Sequence, residues 1–336
     1  MMNRMPTSGS GLSQGVAVLC LRLRIVGLLL ATILTAACSG IDIALQQPPT
    51  VAPLTVTMSE WAVITGGVEG DRYTGIAPVN LVRPVAVAAR GNDVYIVDAG
   101  TDRLYHFDNA TGDLSILKDL REVVSGEVTD IFVTPDRSYY LIDADAGRVL
   151  HFDRQGDLIR VFQDPINLGR PVGVVEDPRG GWVYIADGFN DDVLAYNGAG
   201  QLQGAIGTRG DDDGEFRGIT ALAGGDEGLY VASRFGHSRV QLMGYDRSFI
   251  YAFDPDTVVF PTSLARDEAG RVYVSDFSYN NIQVFTEGHL VATYGGSGSG
   301  PGRFKHITDL WFDNGLLYVA DSLNSRIQVL RVMNGR

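Results

Sequence analysis

Short runs of apolar residues, each ending in a small polar or acidic residue, recur along this chain at nearly constant spacing. Five runs end in Asp and one ends in Ser: Val94–Asp98, Tyr140–Asp143, Val183–Asp187, Leu229–Ser233, Val272–Asp276 and Leu317–Asp321. Their last residues lie 45, 44, 46, 43 and 45 positions apart. A period in this range, with several short strands per unit, is typical of propeller blades. Because one blade cannot bury its own apolar faces, the units are expected to stack side by side.

The fifth repeat shows most openly that each unit holds four strands. Its predicted strands are Pro261–Ala265, Arg271–Ser275, Ile282–Phe285 and Leu290–Tyr294, with Gly270 at the first turn. We therefore expect an all-β protein, a six-bladed β-propeller of four-stranded antiparallel blades over residues 60–336. Gly302-Arg303-Phe304, followed by the segment Asp321–Val329, resembles the NHL repeat, and Gly214-Glu215-Phe216 is a second close copy. That resemblance implies the same six-bladed fold.

The two ends of the repeat region predict how the ring closes. The last repeat stops after its third strand, near Val332, and lacks a fourth. The segment Trp61–Gly67 looks like the outer strand of the other repeats. We expect this N-terminal strand to pair with Ile327–Leu330 and to complete the last blade, which removes the exposed edges of an open array.

The first 37 residues predict an export signal. Arg4, Arg22 and Arg24 precede a 13-residue apolar run, Ile25–Ala37, with no acidic residue before it. This run is shorter than the roughly 20 residues that a membrane-spanning helix needs. One interpretation of this segment is an ordinary secretory signal.

The end of this signal, Leu34–Gly40, resembles the lipobox of bacterial lipoproteins. The resemblance implies cleavage before Cys38 and acylation of that cysteine with palmitate-type chains. Residues 38–59, with three prolines, are predicted to form a tether. Ser39 resembles the sorting signal for the outer membrane, so we expect a lipid-anchored protein of the bacterial cell envelope, facing the periplasm or the surface.

The net charge of the chain limits the classes of partner that it is expected to bind. The formal net charge is −13, and the signal would take three arginines with it. An acidic protein is a poor nucleic-acid binder, because such binding depends on Lys and Arg that neutralise phosphates. The charge also disfavours adhesion to anionic lipid. Membrane contact is therefore expected only through the N-terminal lipid.

The repeated Asp is the first candidate for chemistry. It recurs in five of six blades, often with an Arg five positions later. This pattern suits a local turn and an ion pair, so we interpret it as structural rather than catalytic.

The innermost strands supply a second candidate. Alignment of the repeats places six residues at one equivalent position around the ring axis: Ala86, Asp130, Gly173, Ala221, Ser263 and Asp309. Two carboxylates in a narrow channel repel each other unless a cation or water separates them. Propeller lactonases, which this fold resembles, hold calcium there, so Ca²⁺ at Asp130 and Asp309 is one expectation; otherwise we expect no cofactor. Solvated carboxylates are the alternative, since calcium needs six to eight oxygen ligands.

Aromatic loop residues supply the third candidate. Phe189, Phe235, Phe277 and Tyr279 lie in the loops that follow the second strands of blades three to five, and His237 lies in the longer loop of blade four. Aromatic side chains on rigid loops are where binding energy concentrates. They predict a contact surface for an envelope protein or an extracellular or periplasmic ligand, unless each ring packs onto its own blade.

We therefore expect a lipid-anchored binding scaffold with no catalytic residues. The alternative is a metal-dependent hydrolase or lyase with its site in the central channel. The histidines do not favour a zinc lyase of this fold, because no two have the spacing of metal ligands.

Overall fold

Five sequence repeats each fold into a four-stranded antiparallel sheet, the sixth forms such a sheet together with an N-terminal strand, and the six sheets are the blades of a propeller. The protein is described here by a computed structural model, which covers residues 56–71, 75–177 and 181–334. These residues belong to one compact unit, Pro53–Arg336. The predicted signal at 1–37, Cys38 and most of the predicted tether lie outside the described residues.

The strands of the six blades follow one order from the ring axis outwards. The innermost strands are β4 (Pro84–Arg90), β8 (Val128–Val133), β12 (Pro171–Asp177), β17 (Glu215–Gly224), β21 (Pro261–Arg266) and β25 (Ile307–Asp313). The second strands are β5 (Asp93–Asp98), β9 (Tyr139–Asp143), β13 (Trp182–Asp187), β18 (Leu229–Phe235), β22 (Val272–Asp276) and β26 (Leu316–Asp321). The six apolar runs of the sequence are thus the second strands.

Third and outer strands complete each blade. The third strands are β6 (Arg103–Asp108), β10 (Arg148–Phe152), β14 (Asp192–Tyr196), β19 (Val240–Met243), β23 (Asn281–Thr286) and β27 (Arg326–Asn334). The outer strands are β7 (Leu114–Asp119), β11 (Leu158–Gln163), β15 (Leu202–Ile206), β20 (Phe249–Ala252), β24 (His289–Gly295) and β1 (Val56–Ile64). The predicted architecture is confirmed, and the predicted strands of blade five are each found within one or two residues.

A few elements lie outside this order. Strands β2 (Gly66–Asp71) and β3 (Gly75–Asn80) form a separate hairpin between β1 and β4, and β16 (Thr208–Arg209) pairs in parallel with the start of β17. Two short 3₁₀ helices, Leu120–Glu122 and Ser322–Asn324, occur in loops. No helix in the described part of the chain is both long and apolar enough to cross a membrane.

The hydrophobic core consists of six clusters, and each cluster fills the space between two neighbouring blades. Both faces of every blade are therefore buried. This explains why the second strands are continuous apolar runs rather than alternating ones. In the run Val94–Asp98, for example, Tyr95 and Val97 pack toward blade two, whereas Val94 and Ile96 pack toward blade six.

Ring closure by the N-terminal strand is confirmed, with a longer strand than the sequence indicated. Strand β1 pairs with β27 from Val56 opposite Asn334 to Ile64 opposite Ile327. The strand begins before Trp61, because Val56 and Met58 alternate with polar residues and pack against the cluster between blades five and six. It ends at Ile64, and Gly66 and Gly67 start the hairpin instead.

The closing strand should be a major source of stability. Ile64 is buried in the cluster between blades six and one, whereas its neighbour Val63 is exposed. We expect Ile64→Ala to lower the free energy of unfolding by about 2–4 kcal/mol, because the truncation leaves a cavity. Val63→Ala should change it by less than about 0.5 kcal/mol. Denaturant titration measures both, and equal effects of the two substitutions would contradict the closure.

Candidate binding face and central channel

In five of the six blades, the repeated Asp at the end of the second strand fixes the segment that enters the innermost strand of the same blade. Asp98 accepts hydrogen bonds from the backbone N–H groups of Val82 and Arg83 at 2.7 and 3.1 Å. Asp187 accepts them from Gly169 and Arg170 at 2.6 and 2.9 Å. These carboxylates are fully buried. The Asp side chains are therefore engaged in holding loops, as the structural interpretation predicted.

Two of these carboxylates also form the predicted ion pair with an Arg of the next strand. Arg148 Nε lies 2.9 Å from Asp143, and Arg326 Nε lies 2.8 Å from Asp321. A buried carboxylate with several N–H donors is strongly satisfied, since charge-assisted hydrogen bonds are among the strongest in proteins. Asp321, whose two oxygens both accept hydrogen bonds, therefore has little capacity left for a substrate, whereas Oδ1 of Asp143 is buried without a partner in the described part of the chain.

Blade four departs from the repeat at Ser233, and a residue of blade three takes over the missing function. Asp191 accepts hydrogen bonds from the backbone N–H groups of Gly218 and Ile219 at 2.6 and 3.2 Å. Asp191 is buried and adopts a positive φ of 62°, an uncommon conformation for a residue other than Gly. The loop of blade four that follows Ser233 is consequently not attached to the entering segment by its own carboxylate.

The antiparallel order of the strands gives the ring two distinct faces. The loops from second to third strands and the segments entering the innermost strands lie at one end, which we call the loop face. The turns from first to second and from third to outer strands lie at the other end, the turn face. All five aromatic and His residues predicted to bind a partner lie on the loop face.

Exposed apolar side chains are unevenly distributed between the faces. On the loop face the exposed large ones are Val82, Ile166, Phe189, Phe235, Val259, Phe277, Tyr279 and Leu323. The other exposed large apolar residues in the described part of the chain lie on outer strands, except Met333 near the end of the third strand β27, and the described turns of the turn face carry none. Among the described residues, exposed large apolar side chains on loops thus occur at one end of the ring.

The predicted aromatic residues are exposed and only partly supported by neighbours. Phe189, Phe235, Phe277 and Tyr279 keep 65, 48, 45 and 57% of their surface exposed. The Phe277 ring lies 5.5 Å from that of Phe260 and 5.0 Å from that of His306, which precedes the innermost strand of blade six. Rings of adjacent blades therefore meet on this face instead of each ring packing only onto its own blade.

Sequence reasoning missed several members of this surface. The guanidinium of Arg234 stacks on Phe260 at 4.6 Å, and Arg217 stacks on Phe235 at 5.4 Å. Leu323 lies two residues after its Asp, the position that Phe189 also occupies, so alignment of the loops would have found it. Arg234, Phe260 and His306 form a row only because three blades place them together. His237 is exposed in the same loop as Phe235.

The channel residues predicted to be equivalent occupy one level of the ring, and the polar ones connect neighbouring blades. Asp309 in blade six accepts from the backbone N–H of Val87 in blade one and from the hydroxyl of Ser263 in blade five, both at 2.8 Å. Ser263 Oγ accepts in turn from the backbone N–H of Leu310 at 3.0 Å. Asp309 therefore braces the junction at which the ring closes.

Asp130 repeats this arrangement between blades two and three. It accepts from its own neighbour Ile131 at 2.8 Å and from the backbone N–H of Val174 in the next blade. Burial raises the pKa of Asp130 to about 7. Burial, followed by the negative charge of Asp130, also raises the pKa of Asp309. The two carboxyls therefore interact across the channel, in a cavity of about 230 Å³ that both line.

The channel offers few ligands for a metal ion. The described residues bring no three His, Cys, Asp or Glu side chains together in a way that would hold one. Both oxygens of Asp309 already accept hydrogen bonds from protein donors. Calcium at Asp130 and Asp309 stays a prediction.

Fold and site together define a β-propeller with an apolar loop face and a braced channel. No family model matches the chain, and no curated protein matches it either. Solved structures show the same fold. A Bacteroides thetaiotaomicron protein of unknown function superimposes with a TM-score of 0.62 at 16% identity, covering 83% of this chain and 76% of that one.

Two enzymes are similar to the chain in fold. A streptogramin B lyase gives a TM-score of 0.56 at 11% identity, over 83% of this chain and 98% of its own. The PQQ-bound aldose sugar dehydrogenase of Streptomyces coelicolor superimposes with a TM-score of 0.58 at 14% identity, covering 84% of this chain and 99% of its own. At such identities the likeness establishes the propeller fold alone.

Asp191 takes the anchoring role that an Asp at position 233 would have, and this role can be tested directly. We expect Asp191→Ala to lower the free energy of unfolding by about 1–3 kcal/mol, because buried N–H groups lose their acceptor. Asp145→Ala, at an exposed loop position, should have little effect. Adding Ser233→Asp to Asp191→Ala should recover part of the loss by restoring the motif of the other blades. Denaturant titration of the four proteins decides this, and further destabilisation by Ser233→Asp would contradict it.

Proposed function

We propose that this protein is an envelope lipoprotein of the NHL-repeat type whose loop face binds a protein or a periplasmic or extracellular ligand. The observation that carries the proposal is the confinement of exposed apolar loop residues to that face. Contiguous apolar surface on a soluble domain usually marks an interaction site. The rigid blades beneath it limit the entropy lost on binding.

The closing strand begins at the end of the ring opposite this face. Val56, the first residue of β1, lies opposite Asn334, and Val332 N–H donates to the carbonyl oxygen of Gly315 in a turn of the turn face. The N-terminal strand therefore enters the ring at the turn face and not through the proposed binding face.

A metal-dependent hydrolase or lyase in the channel is the second candidate. The favouring observation is the cavity that contains Asp130, a carboxyl with a raised pKa suited to acid–base chemistry. Against it, the Asp309 carboxylate and the Ser263 hydroxyl take part in bracing the ring. The binding face accounts for more of the surface and is preferred.

The binding face predicts a selective loss of partner. Phe189→Ala, Phe235→Ala and Phe277→Ala combined should abolish recovery of the envelope partner in a pull-down, because aromatic anchors carry most of the binding energy of an interface. A matched triple on outer strands, Leu158→Ala, Ile159→Ala and Leu290→Ala, removes similarly exposed apolar residues and should retain the partner. Both variants should keep the melting temperature of the wild type. Equal recovery by all three proteins would refute the proposed face.

The lipid anchor predicts a change in localisation. Cys38→Ser should move the protein from the membrane fraction to the soluble fraction, because acyl chains contribute about 0.8 kcal/mol per buried methylene. Cys20→Ser, within the predicted signal, should leave the distribution unchanged. Cell fractionation and mass spectrometry of the N-terminal peptide measure this, and an unmodified Cys38 would refute the proposed lipid anchor.

A further inference from the structure

One part of the loop face is rich in cations. Over blades four to six this part consists of residues 234–239, 258–260, 277–280, 304–306 and 322–325, which we call the cationic half-face. The exposed acidic residues Asp211–Asp213 and Asp256, in the segments that enter blades four and five, border it. These segments contain Arg234, Arg239, Lys305, His237 and His306 but no Asp or Glu. This is notable in a chain with 40 acidic residues and a net charge of −13.

Two of these cations are available to a partner. The side chains of Arg234 and Lys305 are exposed, and neither takes part in an ion pair within the described residues. Other arginines of the loop face are neutralised, such as Arg83 by Glu127 and Arg217 by Asp211. Arg234 is held in place by its stacking on Phe260. A pre-positioned, unpaired guanidinium favours an anionic partner.

Apolar side chains lie among these cations. Phe235, Val259, Phe277, Tyr279 and Leu323 are exposed within the same half of the face. A ligand that fits must therefore supply both negative charge and apolar groups at short spacing. An acidic protein segment with interspersed aromatic or aliphatic residues has this composition.

The surroundings set the limits of this surface. Over blades one and two the loop face exposes Asp102, Glu122 and Asp145, and the segments entering blades four and five expose Asp211–Asp213 and Asp256 at the edge of the cationic half-face. These carboxylates repel an acidic segment and direct it toward blades five and six. Nucleic acid fits poorly, because the half-face has only three Lys or Arg side chains and the protein as a whole repels phosphates.

We propose that the cationic half-face binds an acidic segment of a partner protein that carries aromatic or aliphatic anchors. This inference rests on the proposed function, since it names the partner chemistry of the same face. Arg234 and Lys305 would pair with its carboxylates, and Phe235, Phe277 and Leu323 would contact its apolar side chains. The partner is thus identified by its charge pattern.

A selection experiment tests the proposal without knowledge of the partner. Random 12-residue peptides displayed on phage are selected on the folded wild-type protein and on Arg234→Glu/Lys305→Glu. The control is Arg154→Glu/Arg247→Glu, which makes the same change in net charge on the turn face. A selected peptide is then synthesised, and its Kd is measured by fluorescence anisotropy for all three proteins and at two salt concentrations.

We expect the wild type and the control to enrich peptides rich in Asp or Glu together with Phe, Tyr, Trp or Leu. The Kd of such a peptide should rise by at least about tenfold for Arg234→Glu/Lys305→Glu, and by less than about twofold for the control, with weaker binding at high salt. Enrichment of neutral or basic apolar peptides would overturn the acidic partner but leave the binding face intact. No enrichment of any peptide would overturn both.

Discussion

The buried carboxylate at the end of five of the six second strands is the interaction on which the rest of the structure depends. Asp98 and its equivalents accept hydrogen bonds from backbone N–H groups of the segment that crosses from one blade to the next. An innermost strand can enter the ring only where this segment is fixed. The same hydrogen bonds hold the loop face in one conformation, because the segment and the following loop share one carboxylate. Fold and candidate binding surface therefore have a common structural cause.

Blade four shows what happens when this carboxylate is absent. Ser233 has no carboxylate to accept these hydrogen bonds. Asp191 of blade three accepts them instead, so the ring keeps its geometry. After Ser233, strand β18 continues to Phe235, which pairs with Arg217, and Arg234, Phe235 and His237 are exposed to solvent. The departure from the repeat thus coincides with the most distinctive part of the loop face. A strictly regular ring would lack this asymmetry.

Structural features that depend on a single blade can be predicted from the sequence, whereas contacts between two blades cannot. The period and the apolar runs predict the blades, the closing strand and the exposure of Phe189, because each is a property of a single repeat. The row formed by Arg234, Phe260 and His306 was not predicted, since its members come from three blades. Asp130 and Asp309 were placed in the channel correctly, but their bonds to the next blade depend on a register between blades that no repeat specifies.

The channel and the loop face differ in how their polar groups are used. An innermost strand has no neighbour on its inner edge, so its backbone N–H groups need acceptors from elsewhere. Asp309 and Ser263 meet this need for blades one and six, and Asp130 does so for blade three. Reactive groups at the axis are therefore committed to holding the ring together. Among the described residues the loop face combines cations outside ion pairs with exposed aromatic rings, which is why we propose recognition, rather than chemistry in the channel, as the function of this ring.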